Sequence, residues 1–308
     1  MGRLILTVTP NPAYDVSYHT PALEPGEMHR VSAVHRRAGG KGVNVAAVLA
    51  ALGEPVVATG LATAEFAADV ERLGVRASFT EALPHVRSTV AVFDGDRTTS
   101  LWEAGVRPAD PATAEADLRW RVAELLPEAG CLVVSGSLPP GVGHTLPADL
   151  ARLAHDHGVP CLVDVSGAAL AAAAEVPGVV LSPNADELAE LVTSTDDVVA
   201  AVRSLVVRGA GAVFATRGTD GIVVATAAGC WVVPAVPGIV GNPTGAGDAA
   251  AAAIARGLAA GDSPARIAED AVALAAAAVA APVAGAVDPE RFREHRALVV
   301  ARPHEDVR

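Results

Sequence analysis

Residues 131–165 read CLVVSGSLPPGVGHTLPADLARLAHDHGVPCLVDV, and this stretch decides the fold class. Its apolar ends, Cys131–Ser135 and Val159–Val165, have the length of short buried strands, and Leu146–His157 between them reads as a helix. Strands that are apolar on both faces and are joined by a helix are typical of a parallel sheet covered by helices. The stretch therefore predicts an α/β protein.

The same alternation extends in both directions. Further strands are predicted at Leu4–Thr9, Val56–Gly60, Val179–Ser182 and Ala212–Thr216, and further helices at Val43–Leu52, Glu65–Leu73, Glu187–Val192 and Val198–Val207. Ile222–Ala225 and Trp231–Val233 read as a hairpin, and Ala246–Leu258 and Pro264–Ala281 as two packed helices. Because no linker or repeat interrupts the series, we expect one domain over residues 1–308 with a mainly parallel central sheet flanked by helices.

Two regions depart from this rhythm. Val16–Ala38 and Ser88–Leu101 alternate polar and apolar residues and have no helix between their strands. Such alternation is typical of antiparallel strands with one face in water. We therefore expect a small β-sheet lid, formed by about residues 12–38 and 86–103 and inserted in the α/β body.

Composition limits the classes of partner. The chain has 308 residues and a net charge of -12, with 35 acidic against 23 basic residues. An acidic surface repels nucleic-acid phosphates and anionic lipid, so we expect neither nucleic acid nor a membrane as partner.

Cysteine usage and the N-terminus indicate a compartment. Cys131, Cys161 and Cys230 lie in apolar runs and form no CxxC pair, which favours reduced, buried thiols. The first residues lack the pattern of a signal peptide, and the longest apolar stretch, Ala271 to Ala281, is shorter than the about 20 residues that cross a bilayer. We expect a cytoplasmic protein.

The most informative motif is residues 241–248, GNPTGAGD, which precedes a predicted helix. Free amides in the first turn of a helix attract anions, and glycines let a ligand approach the backbone. A carboxylate there suits phosphoryl transfer if Asp248 receives a proton while the amides hold phosphoryl charge. An ordinary Asp near a helix start, or a dinucleotide-binding GxGxxG/A match, explains the motif as well, although that fingerprint requires a strand directly before the helix.

A second glycine-rich segment, residues 38–44, reads AGGKGVN and also enters a helix. It is not a Walker A loop, since Gly42 stands where Ser or Thr is required. Glycines around Lys41 suit a tight loop that binds a hydroxyl-rich or anionic ligand; a glycine turn with a solvated lysine explains it equally.

Three further segments follow predicted strands: residues 136–141 (GSLPPG), 184–187 (NADE) and 217–221 (RGTDG). Ligands of open α/β sheets bind beyond the carboxyl ends of the strands. Asn184 and Glu187 share a helix face and could arrange water around Mg²⁺, or they form a capping box. The glycine-containing segments also suit ordinary turns.

Taken together, these segments resemble the ribokinase/PfkB carbohydrate kinase family, and within it the branch of 1-phosphofructokinase and tagatose-6-phosphate kinase. The matching segments are TPNPAYDV, GEMHRV, RRAGGKGVNVA, GSLPPG, DVSG, PNADEL, RGTDG and PTGAGDA, in the order that the family has them. The resemblance implies a ribokinase-like fold, ATP and Mg²⁺, a small-molecule sugar or sugar phosphate as acceptor, and a homodimer through the lid.

The resemblance also implies roles for individual residues. For catalysis it implies Asp248 as the base, with an anion hole formed by Gly245, Ala246 and Gly247. For the acceptor it implies Asp15, Gly39, Gly40 and Asn44 at the sugar hydroxyls, with Lys41 and Arg87 at a phosphate already on the sugar. For the nucleotide it implies Asn184, Glu187, Arg217, Gly218, Thr219, Asp220 and Gly221, with Glu187 reaching the metal through water.

The chain departs from the family pattern at three places, one of which is the run Ala249–Ala253 in place of the more varied residues, including a glycine, that usually follow the aspartate. Residues 60–65, GLATAE, lack the family's glycine pair, and Ser182 stands where the family usually has a lysine before Pro-Asn. These changes concern the acceptor more than the reaction.

The expected reaction is ATP-dependent conversion of fructose 1-phosphate to fructose 1,6-bisphosphate. Tagatose-6-phosphate or 6-phosphofructokinase activity is an alternative. The sequence also leaves open a kinase of an unphosphorylated sugar or nucleoside, and a non-catalytic sugar or nucleotide sensor on a kinase scaffold.

Overall fold

A computed structural model describes residues 2–95, 97–241, 244–281 and 285–304. The strands are β1 (Leu4–Thr9), β2 (Ala13–His19), β3 (Ala33–Gly39), β4 (Val56–Ala62), β5 (Arg76–Ala77), β6 (Thr80–Glu81), β7 (Arg87–Asp94), β8 (Arg97–Trp102), β9 (Ala129–Ser135), β10 (Cys161–Asp164), β11 (Val180–Leu181), β12 (Ala212–Thr216), β13 (Ile222–Thr226), β14 (Gly229–Val233) and β15 (Arg302–Pro303).

The helices are α1 (Lys41–Ala51), α2 (Ala64–Glu71), α3 (Pro111–Leu125), α4 (Leu146–Asp156), α5 (Gly167–Ala174), α6 (Ala185–Leu191), α7 (Val198–Val207), α8 (Ala246–Ala260), α9 (Pro264–Val279) and α10 (Pro289–Arg296). Short 3₁₀ turns occupy Leu126–Glu128 and Gly218–Asp220.

The large sheet has the strand order β15-β14-β13-β12-β11-β10-β9-β1-β4-β5, with β6 paired to β4 beside β5. Pairing is parallel from β12 through β1 to β5 and β6, and antiparallel among β12, β13, β14 and β15. The carboxyl ends of the parallel strands therefore meet at one edge, which is where ligands of open α/β sheets bind.

Helices cover both faces of this sheet, as the apolar strands require. Successive strand residues point to opposite faces, so Ile5 belongs to the core under α1, α2, α8 and α9, whereas Leu6 belongs to the core under α3 to α7. Small residues bring the helices of the first core close together: a Cβ on Gly257 of α8 would lie 2.5 Å from Ile267 Cγ1 of α9.

The second sheet has the strand order β3-β2-β7-β8. β2 pairs with β7 in parallel and with β3 antiparallel, and β7 pairs antiparallel with β8. β3 leads directly into α1, so this sheet is connected to the start of the helix that carries Lys41 and Asn44. We refer to these strands as the lid sheet.

Some elements were not predicted. Helices α3, α5 and α10 were missed. Along α3 the buried residues Ala114, Leu118 and Val122 form a stripe one residue wide, and the other positions are polar or partly exposed. A helix with so narrow an apolar stripe gives a weak periodic signal.

Candidate active site

The first turn of α8 carries Asp248 together with free backbone amides. Gly245 caps the helix at φ +87°, a left-handed conformation that favours glycine, and Ala249 N donates the first helical bond to its carbonyl at 2.9 Å. The amides of Ala246, Gly247 and Asp248 precede that bond and have no acceptor within the helix. This turn can hold an anion. Asn242 and Pro243 of the same motif lie outside the described residues.

Asp248 is buried, and its surroundings change its acidity. Burial raises the pKa of its carboxyl to about 7, and the nearby charge of Asp164 acts in the same direction. Lys41 and a hydrogen bond from Asn44 lower the pKa in part. A carboxylate that titrates near neutral pH is suited to accept a proton from a hydroxyl group.

Asn44, on α1, joins two carboxylates. Its amide Nδ2 donates to Asp248 Oδ2 at 3.1 Å and to Asp15 Oδ2 at 3.3 Å. Thr89 Oγ1 donates to the other oxygen of Asp15 at 2.6 Å. A Cβ on Gly39 would collide with the Asp15 carboxylate, so only glycine fits beside it. The structure thus brings together Asp15, Gly39, Asn44 and Asp248 as the sequence analysis expected.

Lys41 begins α1 directly after Gly40, the N-cap residue. Its ammonium interacts electrostatically with Asp164, Asp248 and Glu187. Its Nζ donates to Asp164 Oδ1 at 3.0 Å, and Ser135 Oγ donates to Asp164 Oδ2 at 2.8 Å. The charge of Asp164 raises the pKa of Lys41, and Asp248 and Glu187 add to this. Lys41 therefore stays charged and interacts electrostatically with both Asp248 and Glu187.

Arg87 lies at the start of β7. Its Nη1 donates to the carbonyl of Glu103 at 2.8 Å and its Nη2 to that of Asn11 at 3.5 Å. Its Nε is buried and has no partner among the described residues. Burial lowers the pKa of Arg87, and the charge of Asp15 opposes that shift. Nε is thus a donor that lacks an acceptor in this structure.

Asn184 and Glu187 form a reciprocal cap at the start of α6. Glu187 N donates to Asn184 Oδ1 at 2.9 Å, and Asn184 N donates to Glu187 Oε2 at 2.9 Å. Burial raises the pKa of the Glu187 carboxyl, and the charge of Lys41 lowers it. The second oxygen of Glu187 is outside the cap, so a water-mediated contact to Mg²⁺ fits beside the capping role.

Residues 217–221 connect β12 to β13 at the edge of the large sheet. Arg217 Nη2 donates to the carbonyl of Asp220 at 2.8 Å, which closes the 3₁₀ turn from Gly218 to Asp220 before Gly221. Gly218, Thr219 and Asp220 are exposed. Through the bridge between Asn184 and Thr216, this loop lies beside the capped start of α6.

Two residues near the base were missed. Asp164 is the last residue of β10, and its position at the carboxyl end of a parallel strand was an available signal. Arg37, on β3, is half-buried and donates from Nη2 to Asn44 Oδ1 at 3.3 Å. It lies in an alternating strand, where the sequence alone does not tell which face meets the site.

The described residues were also compared with the requirements of a metal site and of a membrane-spanning helix. Within residues 2–95, 97–241, 244–281 and 285–304, no group of three or more His, Cys, Asp or Glu side chains is arranged to hold a metal ion. A metal held through water and substrate phosphates does not require such a group. Over the same ranges, every helix is too short or too polar to span a bilayer. The three cysteines are free and buried.

Comparison with known proteins gives consistent matches. The family model described as "pfkB family carbohydrate kinase" matches residues 10–291. A tagatose-6-phosphate kinase of Staphylococcus epidermidis is 31% identical over 267 residues, which cover 83% of this chain and 85% of that protein.

Solved structures agree with this match. Phosphofructokinase-2 from Escherichia coli in complex with potassium superimposes with a TM-score of 0.89 at 28% identity, over 97% of this chain and 99% of that one. Ribokinase from Arabidopsis thaliana complexed with ribose and ATP superimposes with a TM-score of 0.72 at 21% identity, over 96% and 99%, and shows the fold alone.

The predicted fold class is confirmed: a ribokinase-like α/β fold with a mostly parallel sheet, flanking helices and a separate small sheet. The prediction of an ATP-dependent carbohydrate kinase is confirmed as well. This chain belongs to the pfkB family of carbohydrate kinases.

Proposed function

We propose that the chain transfers the γ-phosphoryl group of ATP to a hydroxyl of a ketohexose phosphate, with fructose 1-phosphate as the first candidate acceptor. The observation that carries this proposal is Asp248, a buried carboxyl with a pKa of about 7 that lies beside free helix amides and is joined through Asn44 to Asp15.

In the proposed reaction Asp248 takes the proton of the acceptor hydroxyl. The hydroxyl oxygen forms a bond to the γ-phosphorus, and the bond from that phosphorus to the β–γ bridging oxygen breaks, so that ADP leaves. Asp15 and Asn44 orient the sugar hydroxyls. The amides of Ala246 and Gly247 and the Lys41 ammonium meet the charge of the phosphoryl group in transit.

The acceptor phosphate is assigned by charge. Lys41 and Arg87 share no hydrogen-bond partner: Lys41 is held by Asp164, and Arg87 lies against Asn11. We assign Arg87 to the phosphate of the sugar, because its charge contact is with Asp15 and its Nε lacks an acceptor. Lys41, for which the sequence suggested the same role, suits the travelling phosphoryl group better.

The nucleotide is proposed to lie over residues 217–221 and the start of α6. The exposure of residues 218–220, and the Glu187 oxygen that the described residues leave outside the cap, support this location. Mg²⁺ held through water by Glu187 would supply positive charge at the phosphates. Arg217, whose Nε is buried without a partner among the described residues, has a donor to offer.

Tagatose 6-phosphate is the second candidate acceptor, because a tagatose-6-phosphate kinase is 31% identical to this chain. Both candidates are ketoses with a hydroxymethyl group at one end and a phosphate at the other. The same site, with Asp248 at the hydroxyl and Arg87 at the phosphate, serves either one.

We also propose a homodimer through the lid sheet. Val34 and Leu101 are exposed and, by strand register, share the face on which Val16 and Val90 lie. A second copy of the chain would cover these apolar side chains. Light scattering of the purified chain measures the oligomeric state directly, and a monomer at all concentrations would contradict the dimer.

The test of function is release of ADP from ATP and Mg²⁺ with a panel of fructose 1-phosphate, tagatose 6-phosphate, fructose 6-phosphate and free sugars. We expect turnover with a ketose phosphate and much lower kcat/KM with the free sugar. No turnover with any acceptor would overturn the proposal, and calorimetric sugar binding without ADP release would identify a sensor. If kcat/KM for a free sugar equals that for the ketose phosphate, the acceptor does not need to carry a phosphate.

A further inference from the structure

Arg37 lies directly opposite Asp15 on the neighbouring strand of the lid sheet. The two residues are Cα partners in the pairing of β2 with β3, and directly opposed residues of a strand pair point to the same face. From this position the half-buried side chain of Arg37 extends to α1, where Nη2 donates to Asn44 Oδ1 at 3.3 Å. A lid residue is thereby in contact with the amide that joins Asp15 to Asp248.

The orientation of the Asn44 amide follows from its neighbours. A carboxylate only accepts hydrogen bonds, so the amide nitrogen must face Asp15 and Asp248. A guanidinium only donates, so the amide oxygen must face Arg37. If the amide turned over, its oxygen would face the Asp248 carboxylate and its nitrogen would face Arg37, and the contacts on both sides would become repulsive.

The chain segment after α9 covers this contact. A Cβ on Gly285 would lie 2.6 Å from Arg37 Nη2 and 2.8 Å from Asn44 Oδ1. Any larger residue at position 285 would push into the pair. Arg37 and Asn44 are therefore enclosed by the lid sheet, α1 and the backbone at Gly285.

We propose that Arg37 is a positioning residue that fixes the Asn44 amide with its nitrogen toward Asp15 and Asp248, so that the Asp248 carboxylate is prepared for proton transfer. This inference rests on the proposed role of Asp248 as base. Arg37 acts through Asn44.

Charge supports the same role. The groups that face Asp248 are Asp164 and Asp15, which disfavour its ionised form, and Lys41 and Asn44, which favour it. Arg37 in turn interacts electrostatically with both Asp15 and Asp248. Removing Arg37 takes away a positive charge and lets the Asn44 amide turn over, and both changes favour protonation of Asp248.

The test compares Arg37→Met and Arg37→Lys with Arg36→Met. Arg36 is the neighbouring residue on the opposite face of β3, where its guanidinium carbon lies 3.4 Å from the Tyr14 ring centroid. We expect Arg37→Met to shift the acidic limb of the kcat/KM–pH profile upward by about 0.5 to 1 pH unit. Arg37→Lys should shift the acidic limb less than Arg37→Met does, because lysine keeps the positive charge. Arg36→Met should leave the acidic limb unchanged.

A folded Arg37→Met protein with an unchanged acidic limb overturns the proposal, even if its melting temperature falls. If Arg37→Met does not fold, Arg37→Lys and Gly285→Ala provide the comparison, and an unchanged limb in both would overturn it. The carboxyl ¹³C signal of Asp248, assigned with Asp248→Asn and titrated by NMR, measures the same shift without turnover. An inactive wild-type protein would contradict the proposed function, while the NMR shift still decides the role of Arg37.

Discussion

The acceptor side and the nucleotide side of the site are built differently. On the acceptor side, Asp15, Asn44 and Asp248 are buried or half-buried and are tied by side-chain hydrogen bonds between residues far apart in the chain. On the nucleotide side, residues 218–220 are exposed and Arg217 bonds only locally, to the Asp220 carbonyl. In the proposed function, the acceptor side is organised before substrate arrives, whereas ATP and its metal would complete the other side.

This contrast predicts where substitutions have their largest effects. Groups in the buried network are expected to act on kcat, because their geometry serves the transition state. Groups on the open side are expected to act mainly on the KM for ATP, since the ligand itself supplies much of the local charge.

Substitution of the base is expected to have the largest effect. Asp248→Asn preserves the size and the contact with Asn44 but cannot accept the proton, so kcat should fall by about 100- to 10,000-fold with little change in ATP binding. Kinetics and calorimetric titration with ATP measure the two quantities. Activity close to that of the wild-type protein would remove Asp248 from the role of base.

Loss of the Arg87 cation, which is proposed to bind the phosphate of the acceptor, is expected to have the second-largest effect. Arg87→Met should raise the KM for the ketose phosphate by about 10- to 100-fold, the size of one to two charged hydrogen bonds. The KM for ATP should not change. A matched assay with the free ketose is the control, because Arg87→Met should leave its weak turnover unaltered; an equal loss for both sugars would contradict the assignment.

The pH dependence is the third test. Because the pKa of Asp248 is raised to about 7, the carboxyl becomes protonated as the pH falls through that value and no longer acts as a base. kcat/KM should therefore fall about fivefold from pH 7 to pH 6 and about tenfold from pH 6 to pH 5. A profile that stays flat down to about pH 5 would show that the base titrates at the ordinary pKa of a carboxyl group.

The smallest effect is expected on the nucleotide side. Glu187→Gln keeps a side-chain oxygen for the cap but removes the charge, and it should raise the Mg²⁺ concentration for half-maximal activity by about threefold to tenfold. Asp186→Asn, one residue earlier on the same helix, is the control and should leave the Mg²⁺ requirement unchanged. A fall in kcat of the size expected for Asp248→Asn would place Glu187 in the chemical step instead.

Much of the fold was predictable because its signals are local. Apolar runs such as Cys131–Ser135 identified the parallel strands, and alternation identified the strands of the lid sheet. Helix α3 was not predicted because its buried stripe is one residue wide and the rest of the helix is largely polar. Its start was still readable: Asp110 caps the helix, and Pro111 follows it.

The site was predictable where a residue lies in a glycine-rich motif. Asp248 and Asn44 belong to such motifs, and the structure joins them across 204 sequence positions. Arg37 and Asp164 lie within the segments RRAGGKGVNVA and DVSG, but neither segment pointed to a role for them. Their importance depends on contacts with Lys41 and Asn44 that only the folded chain creates, and whether Arg37 or Arg36 faces the site depends on strand register.

The most direct test of the central claim is a crystal structure of the chain with a ketose phosphate and a non-hydrolysable ATP analogue. We expect the acceptor hydroxyl within about 2.6 to 3.2 Å of an Asp248 carboxylate oxygen, with the γ-phosphate over the first turn of α8. A bound sugar whose every hydroxyl lies beyond hydrogen-bonding distance of Asp248 in the closed complex would contradict it.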